Sequence, residues 1–255
     1  MKGHSSKTHF LLSILIVFSA CFLIYGCQPE NKKLTKEELR KKLDQKESPV
    51  IAPQETIGHF VLEKNFQINL AAAEPLVSAP VAASFDPKGR LWVVELNAYM
   101  PDTSGNGEQE PIGKIVILED KNHDGVFDDR KVFMDSLVMP RALCLFDDGI
   151  LVAEPPNLWF VENNGDKAGQ RFLVDSNYAE GGNVEHQPNG LLRGLDNWIY
   201  NAKSANRYRR IGKNKWIKDH THFRGQWGIS QDEFGRLYYN TNSFNLLGDY
   251  FSPSL

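Results

Sequence analysis

Three stretches of this 255-residue sequence carry side chains whose types and spacing could do chemistry. The first is Asp120-Lys121-Asn122-His123-Asp124-Gly125-Val126-Phe127-Asp128. Oxygen donors at alternate positions around a glycine are how a tight loop wraps a hard cation. Asp120, Asn122 and Asp124 would offer side-chain oxygens to calcium, Val126 its carbonyl and Asp128 the closing carboxylate. The twelfth position of a full EF-hand loop is Lys131, so that loop is incomplete. The other reading is an Asn/Asp-Gly hairpin turn that needs no metal.

The second stretch is Glu185-His186-Gln187-Pro188-Asn189-Gly190-Leu191, a histidine on a polar loop just ahead of a strand. An imidazole titrates near working pH and can act as a general base, although a lone histidine is also a common structural residue. The third is His222-Phe223-Arg224-Gly225-Gln226-Trp227-Gly228, where an arginine again precedes a strand. Arg224 could reach the same funnel as His186, since a guanidinium forks well onto carboxylates; a salt bridge at the rim is the alternative. Arg193, Arg207, Arg209 and Arg210 read as solvated or locally paired, and the five tryptophans read mostly as core.

Short β-rich runs must position these residues. One phrase recurs: a polar turn with Asp and Gly, then an apolar strand. Its copies are Phe85-Asp86-Pro87-Lys88-Gly89-Arg90-Leu91-Trp92, Phe146-Asp147-Asp148-Gly149-Ile150-Leu151, Gly194-Leu195-Asp196-Asn197-Trp198-Ile199-Tyr200 and Gln231-Asp232-Glu233-Phe234-Gly235-Arg236-Leu237-Tyr238. They stand about 40–60 residues apart, the period of one β-propeller blade. A β-sandwich would not repeat one phrase at that period. The expected fold is all-β, a β-propeller over 57–255 with about four blades visible. A four-bladed ring is one reading. The run Tyr250 to Leu255 resembles a passage interrupted mid-blade, so a truncated piece of a six-bladed ring is the expectation.

The first 26 residues read as a lipoprotein signal peptide: Lys2 and Lys7, the apolar run Phe10 to Tyr25, then Gly26 before Cys27. Cys27 is the expected lipidation site, with Phe18-Ser19-Ala20-Cys21 a rival box and an uncleaved anchor the alternative. Either way the protein is expected in the cell envelope, attached to the membrane outside the cytoplasm. Residues 27–56 form a polar linker in which Thr35 and Glu38 make a capping box for a short solvated helix. Only Cys144 lies in the body, so a disulfide framework is excluded there, and no CxxCH haem site is present. A net charge of -3 argues against a nucleic-acid partner.

Leu70-Ala71-Ala72-Ala73-Glu74-Pro75, Gly89-Arg90-Leu91-Trp92-Val93-Val94-Glu95, the acidic loop and His186-Gln187-Pro188-Asn189-Gly190-Leu191 together resemble a bacterial family of membrane-bound dehydrogenases. That family's propeller is related to the soluble quinoprotein glucose and sorbosone dehydrogenases. The resemblance implies pyrroloquinoline quinone (PQQ) as cofactor alongside calcium. It implies His186 as the catalytic base for a sugar or alcohol hydroxyl, with hydride passing to the quinone. It also implies Arg224 and Gln187 as cofactor-binding residues, and a cytochrome c or membrane quinone as electron acceptor. Gly225 stands where the wider group has an Asn after the arginine. A non-catalytic propeller binding a glycan or a protein partner is the reading from another class.

Overall fold

The computed structural model describes residues 35, 37, 38, 41 and 50–253. The signal-peptide and Cys27 assignments lie outside the described residues. Two compact units divide at Ile51/Ala52. In the first, Glu37, Glu38 and Lys41 are helical. The capping box forms as expected: Thr35 N–H donates to Glu38 Oε2 at 2.9 Å, and Glu38 N–H donates to Thr35 Oγ1 at 3.3 Å.

The second unit opens with a short helix α1 (Pro53–Thr56), Pro at its first position, and a 3₁₀ turn (Ile57–His59). Fifteen strands follow, and they form a four-bladed β-propeller. Blade 1 is β1 (Pro80–Phe85), β2 (Leu91–Glu95), β3 (Gly113–Glu119) and β4 (Asp129–Leu137). Blade 2 is β5 (Ala142–Phe146), β6 (Gly149–Glu154), β7 (Asn157–Asn163) and β8 (Ala168–Asp175). Blade 3 is β9 (Asn189–Arg193), β10 (Ile199–Ala202), β11 (Ser204–Gly212) and β12 (Lys215–Arg224). Blade 4 has β13 (Ile229–Gln231), β14 (Leu237–Tyr239) and β15 (Leu247–Gly248). Every pairing is antiparallel between sequence neighbours, and successive inner strands β1, β5, β9 and β13 lie side by side.

Burial explains the strand chemistry. The middle strands are covered on both faces, by adjacent blades or, in blade 1, by Ala72, Leu76 and Val77 of the segment before β1, so β2, β3 and β6 read as continuous apolar runs. The outer strand β12 meets solvent on one face and alternates. Trp92, Ile115, Ile117, Phe133 and Leu137 of blade 1 pack on Leu143, Ile150, Val152 and Val161 of blade 2. Leu151, Leu158 and Phe160 pack in turn on Leu191, Ile199 and Tyr208 of blade 3. Trp198, Tyr200 and Leu237 join blades 3 and 4. Cys144 is buried in the second of these cores, a free thiol.

The recurring Asp-Gly phrase has a physical role. Asp86 Oδ1 accepts from Lys88 N–H (2.9 Å) and Arg90 N–H (3.0 Å), while Oδ2 accepts from Arg90 Nε (2.8 Å) and Trp92 Nε1 (3.1 Å). Asp232 repeats this in blade 4 with Phe234 N–H, Arg236 N–H, Arg236 Nε and Tyr238 Oη. In blade 3, Asp196 accepts from Trp198 N–H and Tyr200 Oη. One carboxylate thus closes the turn and pins the aromatic residue of the next strand. Blade 2 departs from this: Asp148 takes both Arg210 Nη atoms, at 2.6 and 2.8 Å, across to blade 3.

Candidate functional site at the upper mouth

The inner strands surround the propeller axis, and a cavity lies at each end of them. The larger, about 750 Å³, follows their later residues: Ala83 to Phe85, Leu143 to Phe146, Gly190 to Arg193 and Ile229. The smaller, about 280 Å³, lies where those strands begin, and Val81, Leu96, Tyr99, Arg141, Val184, Glu185, Gln226 and Trp227 line it. We call this end the upper mouth. The loops that lead into β5, β9 and β13 gather there, so one loop each supplies Arg141, Glu185 and Gln226. Charged groups line both cavities: Asp86, Lys88, Arg90, Asp147 and Arg193 the larger, Arg141 and Glu185 the smaller.

His186 ends a 3₁₀ turn (Val184–His186) that Asn183 caps by accepting from Glu185 N–H at 2.9 Å. Its imidazole is exposed. Gln187 turns away: its Nε2 donates to Gly181 O at 3.1 Å, and its buried Oε1 finds no donor among the described residues. The loop is tied across the mouth by the buried Asn189. Its Nδ2 donates to Gln226 O (3.1 Å) and its Oδ1 accepts from Gly228 N–H (2.8 Å). The next two residues take left-handed backbone, Gly190 at φ 93° and Leu191 at φ 50°. A Cβ on Gly190 would stand 2.9 Å from Ile229 Cγ2, so β9 and β13 approach here only because a glycine intervenes.

Arg224 does not reach into the mouth. It is 2% exposed, and Asp249 Oδ2 accepts from its Nε at 2.8 Å and pairs with its Nη2 at 2.7 Å. Its Nη1 donates to Thr221 Oγ1 and His222 O, both at 2.8 Å. Every nitrogen of that guanidinium is engaged inside the fold.

Arg141 is the opposite case. It is 1% exposed, and Nη1 donates to Val184 O at 2.6 Å, yet Nε and Nη2 are buried with no partner among the described residues. Burial pushes this guanidinium down to about 10, with the nearby Tyr178 opposing the shift, so it stays charged at neutral pH. Charges taken out of water without a partner are costly, which makes such an arginine unusual. Across the cavity Tyr99 Oη donates to Glu185 Oε1. That bond, with burial and the charges of Glu185 and Glu108 adding to it, pushes the Tyr99 phenol up to about 12. Arg141, Tyr99 and Glu185 escape sequence reasoning as site residues. The available signal was position: Arg141 stands directly before β5, as the His186 loop does before β9.

The acidic loop closes on itself. Asp120 Oδ1 accepts from His123 N–H (2.7 Å), and Asp120 Oδ2 accepts from Gly125 N–H (2.9 Å). Asp124 Oδ1 accepts from Val126 N–H (2.8 Å), and Asn122 Nδ2 donates to Asp124 Oδ2 (3.2 Å). Asp128 Oδ1 accepts from Lys121 N–H at 3.3 Å, and Lys131 stands at the closing position with its Nζ 3.0 Å from Asp166 Oδ2. Among the described residues no group of three or more His, Cys, Asp or Glu side chains is gathered to hold a metal. In this arrangement the donors serve the turn, and the loop does not fit a calcium cage.

Of the other arginines, Arg207 pairs with Asp219 at 2.7 Å within blade 3, and Arg210 pairs with Asp148 across to blade 2. Trp92 and Trp198 are core, whereas Trp227, 36% exposed, forms part of the wall of the upper mouth.

The fold is a β-propeller, and this mouth holds a small, mainly apolar cavity where the inner strands begin. The chain belongs to the family described as a domain of unknown function, DUF7133, which matches residues 52–254. No curated protein matches the sequence. Among solved structures it is similar to a candidate gluconolactonase, at 14% identity and a TM-score of 0.44, covering 66% of this chain and 57% of that one. It is also similar to the extracellular domain of a candidate hybrid two-component system from B. thetaiotaomicron, at 12% identity and a TM-score of 0.31. There 72% of this chain and 30% of that one are covered. The chain therefore spans little more than half of the first and under a third of the second. Among the described residues no helix is long and apolar enough to cross a membrane.

Proposed function

We propose that this chain is the propeller of an oxidoreductase that works at its upper mouth on a sugar or alcohol hydroxyl, with His186 as the base. The observation that carries this reading is the exposed imidazole of His186, next in the chain to Glu185, which lines a small cavity together with groups from consecutive blades. A base placed there can take a proton from a hydroxyl lying in the cavity. Val81, Leu96, Val184 and Trp227 give the substrate an apolar wall, and Tyr99, Glu185 and Gln226 line the same cavity.

PQQ, the acceptor that the resemblance implies, is a rigid ring system bearing carboxylates. The residues proposed to hold it do not fit it as they stand: Asp249 neutralises Arg224, and Gln187 is folded back onto Gly181. No step is therefore assigned to the quinone, and the step assigned to this chain is proton removal by His186. Attachment through Cys27 would hold such a site beside a membrane quinone or a cytochrome c, outside the cytoplasm.

The test is dye reduction by the full chain with aldoses and simple alcohols, with and without PQQ and calcium. His186→Ala should lower the rate by about a hundredfold or more while substrate still binds. A second reading, a non-catalytic propeller that binds a glycan, is favoured by the Arg224–Asp249 pairing, which leaves no free cation at the position proposed for the cofactor. Saturable sugar binding with no dye reduction under any of these conditions would select it.

A further inference from the structure

We propose that Arg141 is a carboxylate-binding residue, and that the upper mouth takes a small ligand carrying one carboxylate, of the uronic acid class. This rests on the reading of the mouth as the working site and names the substrate class for it.

Three observations converge. The free nitrogens of Arg141 are Nε and Nη2, the two on one edge of the guanidinium. Their N–H groups run side by side, which is the fork that meets a carboxylate with two parallel hydrogen bonds. The remaining nitrogen, Nη1, is fixed to Val184 O, so the ring of donors is already oriented. Next, the charge has been buried without any counterion: Arg224 has Asp249, Arg90 has Asp86 and Asp166, and Arg141 has only a carbonyl. A ligand carboxylate supplies the missing charge. Finally, Arg141 and the aromatic Trp227 both line a cavity of about 280 Å³ whose exposed surface is almost wholly apolar. That space suits one sugar ring lying against an indole, with its acid group toward the guanidinium. Glu185 on the same rim would repel a second negative group, which favours a monocarboxylate.

The same fork would accept a carboxylate from either of two sources, a sugar acid or PQQ. Calorimetric titration of the full chain with D-glucuronate, D-glucose and PQQ separates them. Glucuronate should bind with an affinity that falls as salt rises, and glucose should bind far more weakly. Arg141→Gln should weaken glucuronate by about thirtyfold or more. Arg141→Lys, which keeps the charge and loses the fork, should also fail to restore it. Binding of PQQ, which carries three carboxylates, in place of glucuronate would overturn the monocarboxylate assignment.

Equal binding of glucose and glucuronate, binding of neither acid, or a folded Arg141→Gln protein that binds as wild type does would each overturn it. Should the arginine variants not fold, Trp227→Ala in the same cavity wall must weaken glucuronate more than fivefold, and wild-type affinity overturns the proposal. The two readings fail separately. Arg141-dependent glucuronate binding with no oxidation sinks only the oxidoreductase assignment. Unimpaired oxidation of neutral sugars by Arg141→Gln sinks only this inference.

Discussion

Asp249 Oδ2 holds both Nε and Nη2 of Arg224, at 2.8 and 2.7 Å, and closes blade 4 onto the end of β12. The arginine is 2% exposed, so its charge depends on this single carboxylate. Breaking a buried pair from one side strands the other charge. Asp249→Ala should therefore lower the unfolding free energy by about 3–5 kcal/mol, read from urea denaturation. An effect below about 1 kcal/mol would mean that Arg224 is free to serve a ligand.

The contrast between Arg224 and Arg141 shows what the sequence could and could not reveal. Both stand just before an inner strand, yet only Arg224 reads from the sequence as a candidate for the funnel, with a rim salt bridge as its alternative. Their fates are set by partners distant in sequence: Asp249 lies 25 residues beyond Arg224, while Arg141 meets only Val184 O, 43 residues on. No local pattern encodes that difference. The blades, by comparison, were legible because their signal is local. Asp86 binds Lys88, Arg90 and Trp92 within six residues, and Asp232 does the same with Phe234, Arg236 and Tyr238. The acidic loop misleads for the same reason. Alternating oxygens that would wrap a cation are equally able to cap the N–H groups of their own turn, and here they do.

Stability should decline at low pH, and the sign follows from three aspartates. Burial is the largest influence on each and raises it, yet hydrogen bonds and charges together prevail. Trp92, Arg90 and Lys88 lower Asp86, Arg90 and Lys131 lower Asp166, and Lys218 and Tyr208 lower Asp175. A carboxylate held below its unfolded value stabilises the fold above that value, and the benefit is lost as pH falls through the folded one. The urea midpoint should be level from pH 7 to about 5 and drop below about 4. A midpoint unchanged to about pH 3 would remove these contacts from the account of stability.

Cys144 should be inert in the native protein. Burial among Leu151, Phe160 and Leu191 pushes its thiol up to about 12, with Arg193 opposing only slightly, so little thiolate exists at neutral pH. Mass-spectrometric mapping after treatment with a thiol reagent should find Cys144 unmodified until urea unfolds the chain. Rapid native labelling would place it outside the core.

The two turn clamps should differ in strength although their local bonds match. Arg90 reaches past Asp86 to Asp166 of blade 2 at 2.7 Å, and Lys131 joins the same carboxylate at 3.0 Å. Asp232 holds only residues of its own turn and strand, with Arg236 40% exposed. Asp86→Ala should thus destabilise by about 2–3 kcal/mol, and Asp232→Ala by clearly less. Equal losses would show that the link between blades adds nothing to the turn.

Arg141→Met is the sharpest single substitution. It removes one good hydrogen bond to Val184 O, worth about 1–2 kcal/mol, and at the same time removes a buried charge with two unpartnered donors, each costing about 1–3 kcal/mol. Methionine fills much of the same volume without polar atoms. The balance favours the variant, so its melting temperature should equal or exceed that of the wild type, unlike the loss expected when Arg224 is separated from Asp249. If Arg141 were retained for the fold alone, the substitution would instead lower stability by more than about 2 kcal/mol. A more stable protein that has lost its affinity for a carboxylate is what a residue kept for binding at the cost of stability should give.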